Sequence, residues 1–243
     1  MEYPAKVIPN PRPFLYVKKR KPDYVYKQII NIVNKMYPHT ALHILDIACG
    51  DGSLALQIRE FRVEKQLADE IITVDRLEPP EPLFFPYYQI DLNNKEQFEQ
   101  LAGEYRDYFD IILGIDTIEY LENPKMYLSY LKEMLHEDGH LFISASNINN
   151  PVTRRTFYKK GKIERFCENG TCKNIILPHM LESLASSLQL NLMIEYALGL
   201  YPKFWLYPDR KSIYVTLCNV LMPRFRGSWC KLYIFSKEHQ VER

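Results

Sequence analysis

With 243 residues the chain has the length of one large α/β domain. A chain of this size buries roughly three quarters of its unfolded surface, so its fold need not rest on disulfides or metal. Lys and Arg total 31 against 30 Asp and Glu, a net charge of +1, which excludes a global pull toward nucleic acid or a membrane.

In chain order, residues 1–21 are proline-rich (Pro4, Pro9, Pro11, Pro13) and then basic (Lys18, Lys19, Arg20, Lys21), without the apolar core of a secretory leader. Tyr26, Ile29, Ile30 and Val33 recur at helical spacing and predict an amphipathic helix over 22–36. Residues 42–47 read as a short buried strand, broken at once by Gly50 and Gly52. A helix is expected from Ser53 to about Phe61. A second strand is expected over 71–74, ended by Asp75 and the breakers Pro79, Pro80 and Pro82.

The alternation continues with a strand over 87–90, a helix over 93–108, a strand over 109–115 and a helix over 124–136. The Asp138-Gly139 turn then leads into a strand over 140–145. Strands alternating with helices of this length imply βαβ crossovers and a parallel sheet. After Ser146 the rhythm stops for residues 147–177, which read as a cap insertion after the fifth strand. It resumes with a helix over 178–188, a strand near 192–196 and a final strand at 230–235. Pro202, Pro208 and Pro223 break the aromatic-rich stretch between the last two strands. Residues 1–243 are therefore expected to form one domain, with an N-terminal arm and helix over 1–40.

The five cysteines (Cys49, Cys167, Cys172, Cys218, Cys230) are odd in number and irregular in spacing, which suits free thiols in a reducing compartment. No apolar run approaches the roughly 20 residues of a membrane span. A soluble, cytoplasmic protein is expected. His136-Glu137-Asp138-Gly139-His140 spells a zinc motif that requires a helix, but Asp138-Gly139 is a turn signal, so no metal is expected.

The strongest chemical signal is Asp46-Ile47-Ala48-Cys49-Gly50-Asp51-Gly52, set between a strand and a helix. Small residues are needed wherever a nucleotide-like ligand approaches the main chain. The dinucleotide fingerprint fits poorly, because its third glycine would fall at Ser53. An acid ending the second strand can accept from a ribose diol, which suits Asp75. A carboxylate ending the third can accept from an adenine amino group, which suits Asp91.

Together these landmarks resemble the class I S-adenosylmethionine-dependent methyltransferases. Asp46-x-Ala48-Cys49-Gly50-x-Gly52 is similar to that family's first motif, and Asp75 and Asp91-Leu92 fall where the family contacts ribose and adenine. The stretches 109–112 and 116–124 resemble the family's post-strand segment, with Tyr120 where histidine is common, and residues 135–146 resemble its fifth-strand entry. The resemblance covers residues 22–200. It implies a doubly wound, mostly parallel seven-stranded α/β sheet in the order 3-2-1-4-5-7-6, with the last strand antiparallel.

It also implies S-adenosyl-L-methionine as cofactor, held by Asp46, Ala48, Gly50, Gly52, Asp75, Arg76, Asp91, Leu92 and Ile115. The acceptor would be a small molecule or glycan-like, methylated at oxygen. A methyltransferase-like module that binds without turnover is the alternative. Glu119 and Tyr120 are the catalytic candidates. The 147–177 insertion carries Arg154, Arg155, Lys159, Lys160, Lys162 and Arg165 against Glu164. Arg154 and Arg155, with His179, are therefore candidates for contact with an anionic acceptor.

Overall fold

The computed structural model describes residues 24–79, 83–161, 163, 172–200 and 228–238. The basic run at 18–21, Pro80, Pro82, Lys162, Arg165, Cys167, Cys218 and the aromatic-rich stretch around 202–223 lie outside the described residues.

Seven strands form one sheet in the order β3-β2-β1-β4-β5-β7-β6. They are β1 (His43–Ile47), β2 (Glu70–Asp75), β3 (Tyr87–Gln89), β4 (Phe109–Gly114), β5 (Leu135–Ser146), β6 (Leu190–Leu200) and β7 (Ser228–Lys237). The first five pair in parallel, and β7 runs antiparallel to both β5 and β6. This is the order and polarity that the resemblance implies.

The helices are α1 (Tyr24–Met36), α2 (Ser53–Val63), α3 (Lys95–Glu104), α4 (Pro124–Met134), α5 (Pro151–Lys160) and α6 (Pro178–Ser187). Period-two alternation along the strands builds two cores. Ile44, Ile111, Leu113, Phe142, Leu232 and Ile234 pack with α1 and α2 on one face. Leu45, Ile112, Leu141, Ile143, Tyr233 and Phe235 pack with α3, α4 and α6 on the other. A parallel sheet covered on both faces reads as near-continuous apolar strands, which is why its central members were visible in the sequence.

Four differences from the expected elements have local causes. Residues 147–177 are not without periodic structure, since α5 occupies Pro151–Lys160. That helix carries four basic residues and no apolar stripe, so hydrophobic periodicity could not reveal it. The helix predicted over 93–108 is shorter at both ends. Asn94 caps α3 by accepting from the Gln97 N–H, and Asp107 takes a positive φ of 51°. The fifth strand begins early, because Phe109 pairs with Leu135 and Ile111 with His140, leaving 136–139 as a bulge. His136 and His140 thus flank a bulge rather than sharing a helical face, and the His140 ring is hydrogen-bonded to the Tyr37 hydroxyl. Finally, β6 is longer than expected and bulges at Met193.

Candidate active site

Parallel strands deliver their following loops to one edge of the sheet, so the sequence landmarks meet there. The loop after β1 takes left-handed backbone three times, with φ of 60° at Ala48, 59° at Gly50 and 70° at Gly52. Glycine adopts such angles without steric cost, and alanine does so at about 1–2 kcal/mol. The loop is fastened to the neighbouring strand: Cys49 N–H donates to the Val74 carbonyl at 3.0 Å, and Gly50 N–H donates to Asp75 Oδ2 at 2.9 Å. A Cβ on Gly50 would meet nothing within 4 Å among the described residues, so the missing side chain leaves main chain open to a ligand. A Cβ on Gly52 would lie 2.6 Å from a Leu83 methyl, which that side chain would have to turn away to relieve, while the φ of 70° itself strains any side chain there.

Asp75 is half-buried at the tip of β2. Its Oδ1 accepts from the Leu77 N–H at 3.0 Å, while Oδ2 holds Gly50. Each oxygen keeps a further lone pair, and two hydroxyls of a diol could use them. The Tyr87 hydroxyl donates to the Asp75 carbonyl at 3.0 Å and also reaches the Leu77 carbonyl, bracing the turn from β3. Sequence reading missed Tyr87, because a strand tyrosine reaching a carbonyl twelve residues away has no local signature.

Asp46 is 3% exposed, and its Oδ2 has no hydrogen-bond partner among the described residues. Its carboxyl is pushed up to about 7: burial does most of this, the Ala55 N–H opposes it, and the charges of Asp75 and Asp51 add to it. A buried acid with an unpaired oxygen calls for a cationic or hydroxyl donor.

Beyond β3, Asp91 is exposed, and its Oδ1 accepts from the Asn93 N–H at 3.0 Å. Leu92 beside it is 6% exposed and belongs to the core between the sheet, α3 and α4. Arg76 is exposed, and Ile115 is half-buried after β4.

The next turn carries the catalytic candidates. Glu119 is 2% exposed and Tyr120 is 38% exposed, so adjacent residues face opposite environments. Burial raises the Glu119 carboxyl above its ordinary range, against the hydrogen bond from the Ser146 N–H. Arg154 is half-buried and Arg155 exposed on α5, which follows β5 directly in the chain. His179 is exposed in the first turn of α6. The β1 loop and Asp75 are thus in contact, with Asp91 just past the end of β3. Tyr120, the arginines and His179 belong to the segments that follow β4 and β5.

The donor set of S-adenosylmethionine fits these groups. Its ribose diol suits the spare lone pairs of Asp75, and its ammonium suits the charge of the buried Asp46 carboxylate at the foot of the loop. The side-chain-free main chain at Gly50 admits a close ligand. Among the described residues no group of histidines, cysteines and carboxylates could hold a metal ion, and no helix is long and apolar enough to cross a membrane.

The profile of the methyltransferase-domain family matches residues 20–192. The chain is 22% identical over 192 residues to the ubiquinone biosynthesis O-methyltransferase of Ruegeria sp., covering 75% of each protein. The 1,6-didemethyltoxoflavin N1-methyltransferase of Burkholderia thailandensis superposes with a TM-score of 0.55 at 12% identity, over 89% of this chain and 80% of that one. A methyltransferase from Archaeoglobus fulgidus does so with a TM-score of 0.52 at 17% identity, over 87% and 94% of the two chains. Fold, loop and family agree: the chain belongs to the methyltransferase-domain family and is an S-adenosyl-L-methionine-dependent methyltransferase.

Proposed function

We propose that this protein methylates an oxygen of a small acceptor that carries negative charge. The observation that carries the reading is the 2.9 Å hydrogen bond from Gly50 N–H to Asp75 Oδ2, which couples the glycine-bearing turn to an acid at the next strand end. When bound, S-adenosylmethionine supplies a methyl group activated on a sulfonium. The chain's own residues then bind, orient and exclude water. Asp75 and Asp91 hold the nucleoside, Asp46 meets the ammonium, and the loop from Ala48 to Gly52 lets the main chain approach closely. Most of the rate advantage in such a reaction comes from holding the two partners in line.

The acceptor side rests on Tyr120, Arg154, Arg155 and His179. Tyr120 offers a hydroxyl at the carboxyl edge that can hydrogen-bond an acceptor oxygen and orient it. Helix α5 bears Arg154, Arg155, Lys159 and Lys160 with no acid, which favours an anionic group nearby. The relatives named ubiquinone biosynthesis O-methyltransferases support oxygen as the methylated atom and a small molecule as its carrier. The test pairs calorimetric titration with S-adenosylhomocysteine and transfer of labelled methyl to phenolic, carboxylated and phosphorylated acceptors. Binding with transfer to an anionic hydroxyl compound is expected. Transfer only to nitrogen or carbon, or binding with no transfer to any class, overturns the proposal.

A further inference from the structure

The turn after β4 is the meeting point of three distant stretches of chain, and Glu119 makes the links in two directions. Its Oε1 accepts from the Ser146 N–H at 2.6 Å, where the chain leaves β5 toward α5. Its backbone carbonyl accepts from the N–H groups of Lys173 at 2.7 Å and Asn174 at 3.0 Å, where the chain returns toward α6. Around it, the Asn174 amide donates to the Leu121 carbonyl and the Lys173 ammonium pairs with Glu122. Departure and return of the 147–177 segment are therefore both tied to the short 3₁₀ turn Ile118–Tyr120.

We infer that Glu119 is a positioning residue, which fastens both ends of the 147–177 segment to the turn that carries Tyr120 and so fixes that tyrosine at the sheet's carboxyl edge, instead of acting as a base on the acceptor. A general base must come within hydrogen-bond reach of the proton it takes. Glu119 is 2% exposed, and one carboxylate oxygen is committed to a main-chain amide. Tyr120, its exposed neighbour, inherits the rigidity. The assignment rests on the reading that Tyr120 faces the acceptor.

The test compares Glu119→Ala with Glu119→Gln by amide hydrogen exchange resolved at single residues, with S-adenosylhomocysteine titration alongside. In Glu119→Ala the Ser146 amide loses its acceptor and should exchange at least about tenfold faster. The Lys173 and Asn174 amides bond to a carbonyl that the substitution leaves in place, yet they should also exchange at least about fivefold faster, because the anchor is shared. Glu119→Gln keeps a side-chain carbonyl for Ser146 and should restore protection at all three amides.

On an acceptor that the wild type methylates, Gln should recover most of the turnover lost in Ala. Protection of Lys173 and Asn174 unchanged in Ala, or a Gln variant as inactive as Ala while those amides stay protected, overturns the inference. If Ala does not fold, Glu119→Asp carries the same comparison, since its shorter side chain withdraws from Ser146 and must loosen 173 and 174 likewise. The exchange measurements need neither cofactor nor acceptor, so wild type failing to bind S-adenosylhomocysteine would count against the proposed function alone.

Discussion

At the ends of β1 and β2 the chain is shaped by its own backbone, with left-handed residues at 48, 50 and 52 and a carboxylate bonded to a loop amide. Beyond β4 and β5 the equivalent edge is assembled from segments far apart in sequence, joined through Glu119 and bordered by the basic helix α5. The first half is a cradle built from one short left-handed turn and the acid at the next strand end, suited to a ligand of one fixed shape. The second half depends on long-range hydrogen bonds and surface charge, so its chemistry can be retuned without disturbing the cradle.

Substitutions that touch one half and spare the other would sharpen the contrast, and the largest effect is expected at Tyr120. Removing its hydroxyl in Tyr120→Phe should lower turnover by about 100-fold, the scale of a group that hydrogen-bonds the reacting atom. Affinity for S-adenosylhomocysteine should stay unchanged, as calorimetry would report. A turnover change of less than threefold would make Tyr120 a packing residue.

Asp75→Ala is the counterpart in the cradle. It removes one or two charge-assisted hydrogen bonds worth roughly 1.5–3 kcal/mol each, and it also strips Gly50 N–H of its acceptor. Affinity for S-adenosylhomocysteine should fall by at least about tenfold while the circular dichroism spectrum is retained. Equal affinity in both proteins would dissolve the comparison.

Replacing Arg154 and Arg155 together with Gln should raise the acceptor's KM by about tenfold and leave cofactor affinity alone, since arginine forks onto carboxylate or phosphate. Added salt should mimic the change, because at 1 M the screening length shrinks to about 3 Å. A KM indifferent to both treatments would leave these side chains as ordinary surface charge.

The smallest expected effect is a pH dependence confined to the cradle. Asp46 has a folded-state value of about 7, above its ordinary 3.8, so its protonated form is the one the unliganded fold favours. The contribution to stability is therefore full below about pH 4 and is lost as pH rises through about 7. An ammonium ligand prefers the ionised form, so S-adenosylhomocysteine affinity should rise by up to about tenfold between pH 6 and 8. Asp46→Asn should flatten both the melting-temperature profile and the binding profile. Persistence of either slope in that variant would assign it to another group.

The two halves also differ in how far they were legible in the sequence. Asp46, Gly50, Gly52 and Asp75 stand out because turn chemistry and strand-end acids are local, and the apolar runs around them mark the strands, whose order came from the resemblance alone. Helix α5 was invisible because Arg154, Arg155, Lys159 and Lys160 leave no apolar stripe for a period to show. The link between Glu119 and Ser146 spans 27 residues, and those from its carbonyl to Lys173 and Asn174 span more. Such contacts are set by tertiary packing, and neighbouring residues carry no trace of them. Tyr87 and Leu83 escaped for the same reason, although both press directly on the cradle.

The contact between Leu83 and the space beside Gly52 has an evolutionary consequence. The two obstacles at position 52 are unequal: a backbone angle of +70°, which strains any side chain, and a Leu83 methyl 2.6 Å from where a Cβ would lie, which a rotation of that leucine relieves. Shrinking residue 83 removes only the lesser of the two. Glycine at 52 is therefore held by its own backbone, and a pairwise mutational map would record 52 and 83 as nearly additive.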